Sequence, residues 1–329
     1  MNTDIHTHIV PSSFPDALHS GAGSIEVRAT CDCGHADVWV DGKKFRTITD
    51  ESWDVGRRLE AMDRSRIDRQ LLSPMPELLA YWLPLDRAVD IAAHVNATLV
   101  EMVGRAPGRF LALGMAPLQD PDRAVLELER LAAAPGVCGI EIGTNVNGVP
   151  IGDPCFDPVF EAAARLDLAV FVHALRPAGV DRLVGPAALA GLVAFPCETA
   201  FAAVSMITGG VATRHPSLRI AFSHGGGALA TVLPRLDRGF ETLPALREAM
   251  PVKPSVQARG FFYDTLVFEA PTLRFLIDRF GMTQLCLGTD RPFALQEEDP
   301  VGAVEALRLS EADTALLLGG NAARFIGRV

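Results

Sequence analysis

An alternation restricts what this chain can fold into more than any other feature. Eight short apolar runs of strand character, "DIHTHIV", "IDRQLLS", "FLALGMAP", "CGIEIGT", "LAVFVHA", "LRIAFSH", "GFFYDTL" and "QLCLGTD", recur between longer segments of helical period. Apolar residues step by three and four through "AVDIAAHVNATLVEMVGRA", "DRAVLELERLAAA", "FDPVFEAAARL" and "APTLRFLIDRFG", as one face of an α-helix requires. Strands separated by helices call for parallel pairing with helical crossovers. Eight such units in 329 residues predict an α/β fold closed as a (β/α)8 TIM barrel, with the surplus over the typical ~250 residues left for insertions. A doubly wound open sheet would need a Gly-rich nucleotide loop after a strand, and the sequence has none.

The main surplus is residues 12–52, between the first strand and the first long helix. It is rich in Gly, Ser and charge, and "ADVWVDGKKFRT" reads as a hairpin turning at Asp41-Gly42. The expectation is a single barrel domain over 1–329 that carries a small β-rich insertion after strand 1. Within it, Cys31, Cys33 and His35 of "CDCGHADV" offer at most three soft ligands for a second metal ion.

With 49% hydrophobic residues the chain can bury a large core. Its net charge of −10, from 40 acidic and 30 basic residues, argues against sequence-independent binding of nucleic acid and against a basic membrane-binding tail. The expected partner is a small molecule. The N-terminus lacks a basic segment followed by an apolar stretch, and no uninterrupted apolar run approaches the ~20 residues of a membrane span. A cytoplasmic protein is expected, and six cysteines in a chain this long do not resemble a disulfide framework.

In a barrel the chemistry lies at the C-terminal ends of the strands. His6 and His8, two apart on the first strand, point to the same side; His173 ends the fifth run, His224 the sixth and Asp290 the eighth. Each alone could be a hydrogen-bonded structural residue, but four strand ends delivering such groups to one rim point to a site. Imidazole nitrogens and a carboxylate suit zinc, and a catalytic zinc keeps one position open. His6, His8, His173 and Asp290 would form the shell for one Zn2+ per chain, other divalent metals remaining open. His224 would then be free to move protons, since imidazole titrates near neutrality.

"DIHTHIVP", "FVH", "SHGGGA" and "LGTDRPF", in that order, resemble the amidohydrolase superfamily, specifically the decarboxylase branch typified by 2-amino-3-carboxymuconate-6-semialdehyde decarboxylase. The similarity runs almost the full length through "DGKKFRTITDESWD", "QLLSPMPELLAYW", "GIEIGTNVNG", "PCETAFAAVSMITGGV" and "FYDTLVF". The resemblance implies that His6, His8, His173 and Asp290 are zinc ligands and that His224 is the catalytic histidine. It also implies that Arg46 and Arg235 hold substrate carboxylates, one of them reaching in from a neighbouring subunit. Arg235 lies eleven residues after His224; on a helix this separates them by on the order of 13 to 16 Å, which favours a homodimer.

The implied activity is zinc-dependent, non-oxidative decarboxylation of a small unsaturated or aromatic carboxylic acid. Its rival is a metal-dependent hydrolase or hydratase acting on a lactone or an unsaturated dicarboxylate, which the same scaffold would support. A serine esterase would need a G-x-S-x-G elbow, which is absent. A catalytically silent barrel that merely binds a small acid is disfavoured because every ligand position and His224 are present. Two departures from the family pattern touch the expected pocket. "HPWD" becomes "HALRPAG", bringing Arg176, and "TDYPFP" becomes "TDRPFA", bringing Arg291 beside Phe293. If they face the pocket these arginines favour a further anionic group; the alternative is that they point to solvent or pair with acids such as Glu297 and Glu298.

Overall fold

The structure is a computed structural model that describes residues 1–21, 23–30 and 34–327. Strand β1 (Thr3–Ile9) opens the barrel, and β2 (Ile25–Ala29), β3 (His35–Val40) and β4 (Lys43–Thr49) form the insertion. The barrel resumes with β5 (Arg69–Pro74), β6 (Phe110–Gly114) and β7 (Val137–Gly143), and a short hairpin of β8 (Asn145–Val146) and β9 (Val149–Pro150) follows. It is completed by β10 (Ala169–His173), β11 (Ile220–Phe222), β12 (Phe262–Asp264) and β13 (Leu285–Cys286). The eight barrel strands pair in the order β1-β5-β6-β7-β10-β11-β12-β13, each neighbour parallel. The seam between the last strand and the first is joined by the Ile5 N–H donating to the Leu287 carbonyl (2.9 Å) and the His8 N–H to that of Arg291 (2.8 Å).

Helices α1 (Val55–Arg64), α2 (Leu85–Arg105), α3 (Pro121–Ala132) and α4 (Asp157–Arg165) make the first four crossovers. The others are α5 (Phe195–Thr208) with α6 (Val211–Arg214), α7 (Leu229–Thr242) with α8 (Pro244–Ala249) and α9 (Pro254–Ala258), and α10 (Ala270–Phe280). Their starts follow local chemistry: the Asp54 and Asp120 carboxylates accept the N–H groups of Arg57 (2.8 Å) and Arg123 (3.0 Å), capping α1 and α3. In α2, Ala88, Ile91, Ala92, Val95, Leu99 and Met102 are buried, the stripe expected of a helix lying on a sheet.

Two apolar regions confine the chemistry to one end. One lies between strands and helices; the other fills the barrel, where Ile5, Leu71, Leu113, Phe171, Phe262 and Cys286 pack with Phe325 and Ile326 near the C-terminus. Arg219, just before β11, donates to the Phe325 carbonyl at 2.8 Å, so this plug closes the end where the strands begin. Polar groups are left to gather at the opposite end.

The insertion is an antiparallel sheet, β2-β3-β4, whose Ile25, Val38 and Ile48 join the main core. Its hairpin turns through Asp41 (φ 51°) and Gly42 (φ 70°), the left-handed pair a two-residue turn needs. His35 begins β3, while Cys31 and Cys33 lie outside the described residues, and with them the second-metal reading.

One element differs from the expectation. The helical run Ala190–Thr208 is long and apolar enough, by length and composition, to cross a membrane. Pro196 and Glu198 interrupt the run in the sequence and hide its length. Thr199, Ala202, Ala203 and Met206 are buried, whereas Leu192, Val193 and Phe201 are exposed. Buried Glu198 accepts from Asn145 at 3.0 Å and from the Ala178 N–H at 2.9 Å.

Candidate metal centre

His6 and His8 point into the top of the barrel from β1, His173 joins them from the end of β10, and Asp290 comes from the turn after β13. That strand is shorter than the sequence run implies, ending at Cys286. The chain then leaves the ladder, and the Asp290 N–H donates to the His6 carbonyl at 2.8 Å with Asp290 itself at φ 62°. Gly288 permits this crossing, since a Cβ there would lie 2.7 Å from the Asp264 Cβ and 3.0 Å from the His6 Cβ. Buried Asp4 steadies the same turn by accepting from the Thr289 hydroxyl (2.7 Å), the Gln70 amide (3.2 Å) and the His6 N–H (3.1 Å). Burial raises the Asp4 carboxyl to about 6 despite these bonds.

One ligand atom from each of His6, His8, His173 and Asp290 lies within 4.8 Å of the other three. The opposite ring nitrogens are all engaged: Nδ1 of His6 by Asp264 (2.6 Å), of His8 by the Pro74 carbonyl (2.9 Å), and of His173 by the Ala174 carbonyl (2.8 Å). Outer partners of this kind fix the tautomer and leave each Nε2 lone pair facing inward. There His6 Nε2 and His8 Nε2 are 3.1 Å apart, and the Asp290 Oδ1 is 3.4 and 3.0 Å from them. His173 Nε2 and Asp290 Oδ1 are buried without a hydrogen-bond partner. Buried polar atoms are rarely left so, and this inward cluster of three imidazoles and one carboxylate fits a divalent ion.

The electrostatics agree with that fit. Burial pulls His6 down, but the hydrogen bond and charge of Asp264, with Asp290 and Glu141, outweigh it and raise His6 to about 9. Burial lowers His8, His173 and His224, His173 well below the ordinary imidazole value. Burial raises the Asp290 carboxyl, and the close approach of His8 with the charge of His6 reverses this to a net lowering. Asp290 is thus the fixed negative charge of the cluster.

His224 stands just beyond the four, its ring centroid 5.4 Å from that of His6 and 5.1 Å from that of His173. Its φ is 56° and Gly225, Gly226 and Gly227 follow at 61°, 76° and 57°. Glycine takes this conformation freely; a histidine in it costs about 1–2 kcal/mol.

The arginines separate. Arg46 of β4 is half-buried, its guanidinium 4.1 Å from the centre of the Phe293 ring, and it makes no ion pair among the described residues. Phe293 in turn stacks on His8 with centroids 5.0 Å apart at 17°. Arg176 lies over the Trp82 ring at 3.3 Å and is exposed near the rim. Arg291 is enclosed and bonds Glu51 at 3.3 Å, with Glu298 at 4.0 Å; its side chain joins the insertion to the turn that carries Asp290. Arg235 is exposed on α7 and has no ion pair among the described residues.

Sequence reasoning missed Asp264 and Glu141. Glu141 accepts from the Ser73 hydroxyl at 2.5 Å and lies 3.6 Å from His8 Nδ1, and burial raises it to about 8. The available signal was a single acid inside an otherwise apolar strand, in "GIEIGT" and "GFFYDTL", the same signal that singled out the histidines.

A cluster of three histidines and an aspartate at the C-terminal face of a (β/α)8 barrel, with a further histidine beside it, is the arrangement of a metal-dependent barrel enzyme. The chain belongs to the amidohydrolase family, whose profile matches residues 3–328. It is 37% identical to 2-amino-3-carboxymuconate-6-semialdehyde decarboxylase of Dictyostelium discoideum over 99% of this chain and 92% of that one. Among solved structures, the apo IDCase of Metarhizium anisopliae shares the fold, with TM-score 0.85 at 24% identity over 99% and 97% of the two chains. The 5-carboxyvanillate decarboxylase LigW2 of Novosphingobium aromaticivorans, solved with bound manganese, aligns at TM-score 0.75 and 27% identity over 84% and 82%. With these relatives the chain is a metal-dependent carboxy-lyase.

Proposed function

We propose that this protein is a zinc-dependent, non-oxidative decarboxylase of a small unsaturated or aromatic acid of the 2-amino-3-carboxymuconate-6-semialdehyde type, acting as a homodimer. The observation that carries the substrate reading is Arg46, a half-buried guanidinium without a carboxylate partner among the described residues, stacked on Phe293 beside the ligand His8. Such a group favours a bidentate carboxylate from outside the chain.

His6, His8, His173 and Asp290 would hold the ion, a donor set that suits zinc. The bound ion supplies a Lewis acid that draws charge toward substrate oxygens. Arg46 orients a carboxylate, its guanidinium held in place by stacking on Phe293. As the bond to the departing carboxylate breaks, its electron pair stays on the substrate carbon and carbon dioxide leaves. His224, beside the ligand cluster, delivers the proton that this carbon then takes. Arg176 at the rim is available to a second anionic group, and Arg291, engaged by Glu51, holds the turn that carries Asp290.

Arg235 completes the site from the neighbouring subunit. It is exposed on α7, where Val232 one turn earlier is exposed as well, and α7 packs on α5, whose Phe201 is also exposed. An uncompensated arginine beside exposed apolar side chains is what a subunit interface would use. Assay of a panel of carboxymuconate semialdehydes, hydroxybenzoates and oxalomesaconate-type acids for carbon dioxide release tests this function.

A further inference from the structure

We propose that Asp264 is the positioning residue that ties the metal centre to the His224 loop: one carboxylate sets both the metal-facing tautomer of His6 and the backbone of His224. Asp264 ends β12 and is fully buried. Its Oδ2 lies 2.6 Å from His6 Nδ1 and 2.8 Å from the His224 nitrogen; its Oδ1 lies 2.7 Å from the Gly225 nitrogen and 3.0 Å from that of Leu266. An ionised carboxylate only accepts, so all four partners donate. His6 therefore carries a proton on Nδ1, and its Nε2, the atom left for the ion, faces His8, His173 and Asp290.

The same contacts explain how His224 keeps a conformation that only its glycine neighbours adopt freely. Its own N–H and that of Gly225 end on the two oxygens of Asp264. Two close approaches box the arrangement in. A Cβ at Gly227 would lie 1.9 Å from the Pro196 carbonyl oxygen, and one at Gly288 would lie 2.7 Å from the Asp264 Cβ. Gly227 and Gly288 therefore pass so close to α5 and to Asp264 that neither position has room for a side chain. In Asp264→Asn, an amide NH2 replaces one acceptor and faces donors, so either His6 changes tautomer or the His224 peptide moves.

The effect on turnover rests on the decarboxylase reading; the link between ion and loop does not. The test compares full-length wild type with D264N by chelator competition for zinc, by the visible spectrum after cobalt(II) loading, and by kinetics on the best acid of the panel. The expected result is zinc affinity lower by about 10–100-fold and an altered cobalt spectrum. In the kinetics kcat should fall at least tenfold while KM stays within about threefold. Wild-type zinc affinity and cobalt spectrum in D264N, or a loss confined to KM, would overturn the proposal.

A measurement on the wild type stands even where D264N folds poorly. In protein labelled with 15N at histidine and at backbone amides, His6 should show a slowly exchanging Nδ1 proton, and the His224 and Gly225 amides should be protected. A proton on His6 Nε2 in the metal-loaded protein, or fast exchange of those amides, would contradict it. Intact metal and NMR signatures with no turnover on any acid would count against the decarboxylase reading and leave the role of Asp264 standing.

Discussion

His6 faces two ways at once, its Nδ1 held by Asp264 and its Nε2 turned to the cluster proposed to hold the ion. Because the metal-free ring is raised to about 9 from the ordinary 6.5, it keeps a second proton through the neutral range, and an incoming ion must displace that proton. Metal affinity should therefore rise with pH from 6.5 and level off near 9, with proton release on binding at pH 7. Calorimetry in two buffers of different ionisation enthalpy measures this; affinity that is flat across the range would rule it out. His224 lies outside the donor cluster and so carries no such burden. His224→Ala should keep its metal, read by elemental analysis, while turnover drops by about 10²- to 10⁴-fold; a variant that lost the ion instead would make His224 a ligand. At this scale the sequence was informative where one histidine or acid broke an apolar run, as at His173 and Asp290. It was less so for Arg291, whose partner Glu51 lies 240 residues away, a pairing that no local pattern encodes.

Among the elements, the insertion and the turn after β13 are joined from two sides. Arg46 of β4 stacks on Phe293, and Glu51, just after β4, bonds Arg291; Phe293 and Arg291 follow Asp290 by three and one. Beneath them fully buried Arg58 donates to the Glu51 carbonyl at 2.8 Å and to the His8 carbonyl. Removing the Glu51 carboxylate would leave two enclosed guanidinium groups with less compensating charge. Glu51→Ala should destabilise the protein by about 2–3 kcal/mol, toward the low side for an enclosed pair because Glu51 keeps some contact with solvent. A urea midpoint equal to that of the wild type would show that the pair contributes nothing. The strands and long helices of the barrel were legible because their periodicity is local. The length of β13 and the continuity of Ala190–Thr208 were not, since the chain leaves the ladder at Gly288, where a Cβ would collide with Asp264 and His6, and Pro196 sits where the π-helical turn Ala190–Ala194 passes into α5.

For the molecule as a whole, the plug around Phe325 leaves one end of the barrel for chemistry, and under the proposed homodimer Arg235 would make that end a matter of two chains. Mixing inactive Arg235→Ala with inactive His224→Ala subunits should restore part of the activity, because a mixed dimer assembles one complete site. Absence of recovery after demonstrated subunit exchange would exclude a shared site. The central claim is that the reaction removes a carboxylate and replaces it with a proton. It is tested most directly by following a 13C-carboxyl-labelled acid from the panel with zinc-loaded protein in D2O. The account predicts one equivalent of labelled carbon dioxide per turnover and one deuterium on the carbon it left; a product that retains the labelled carboxylate while gaining the elements of water would contradict it.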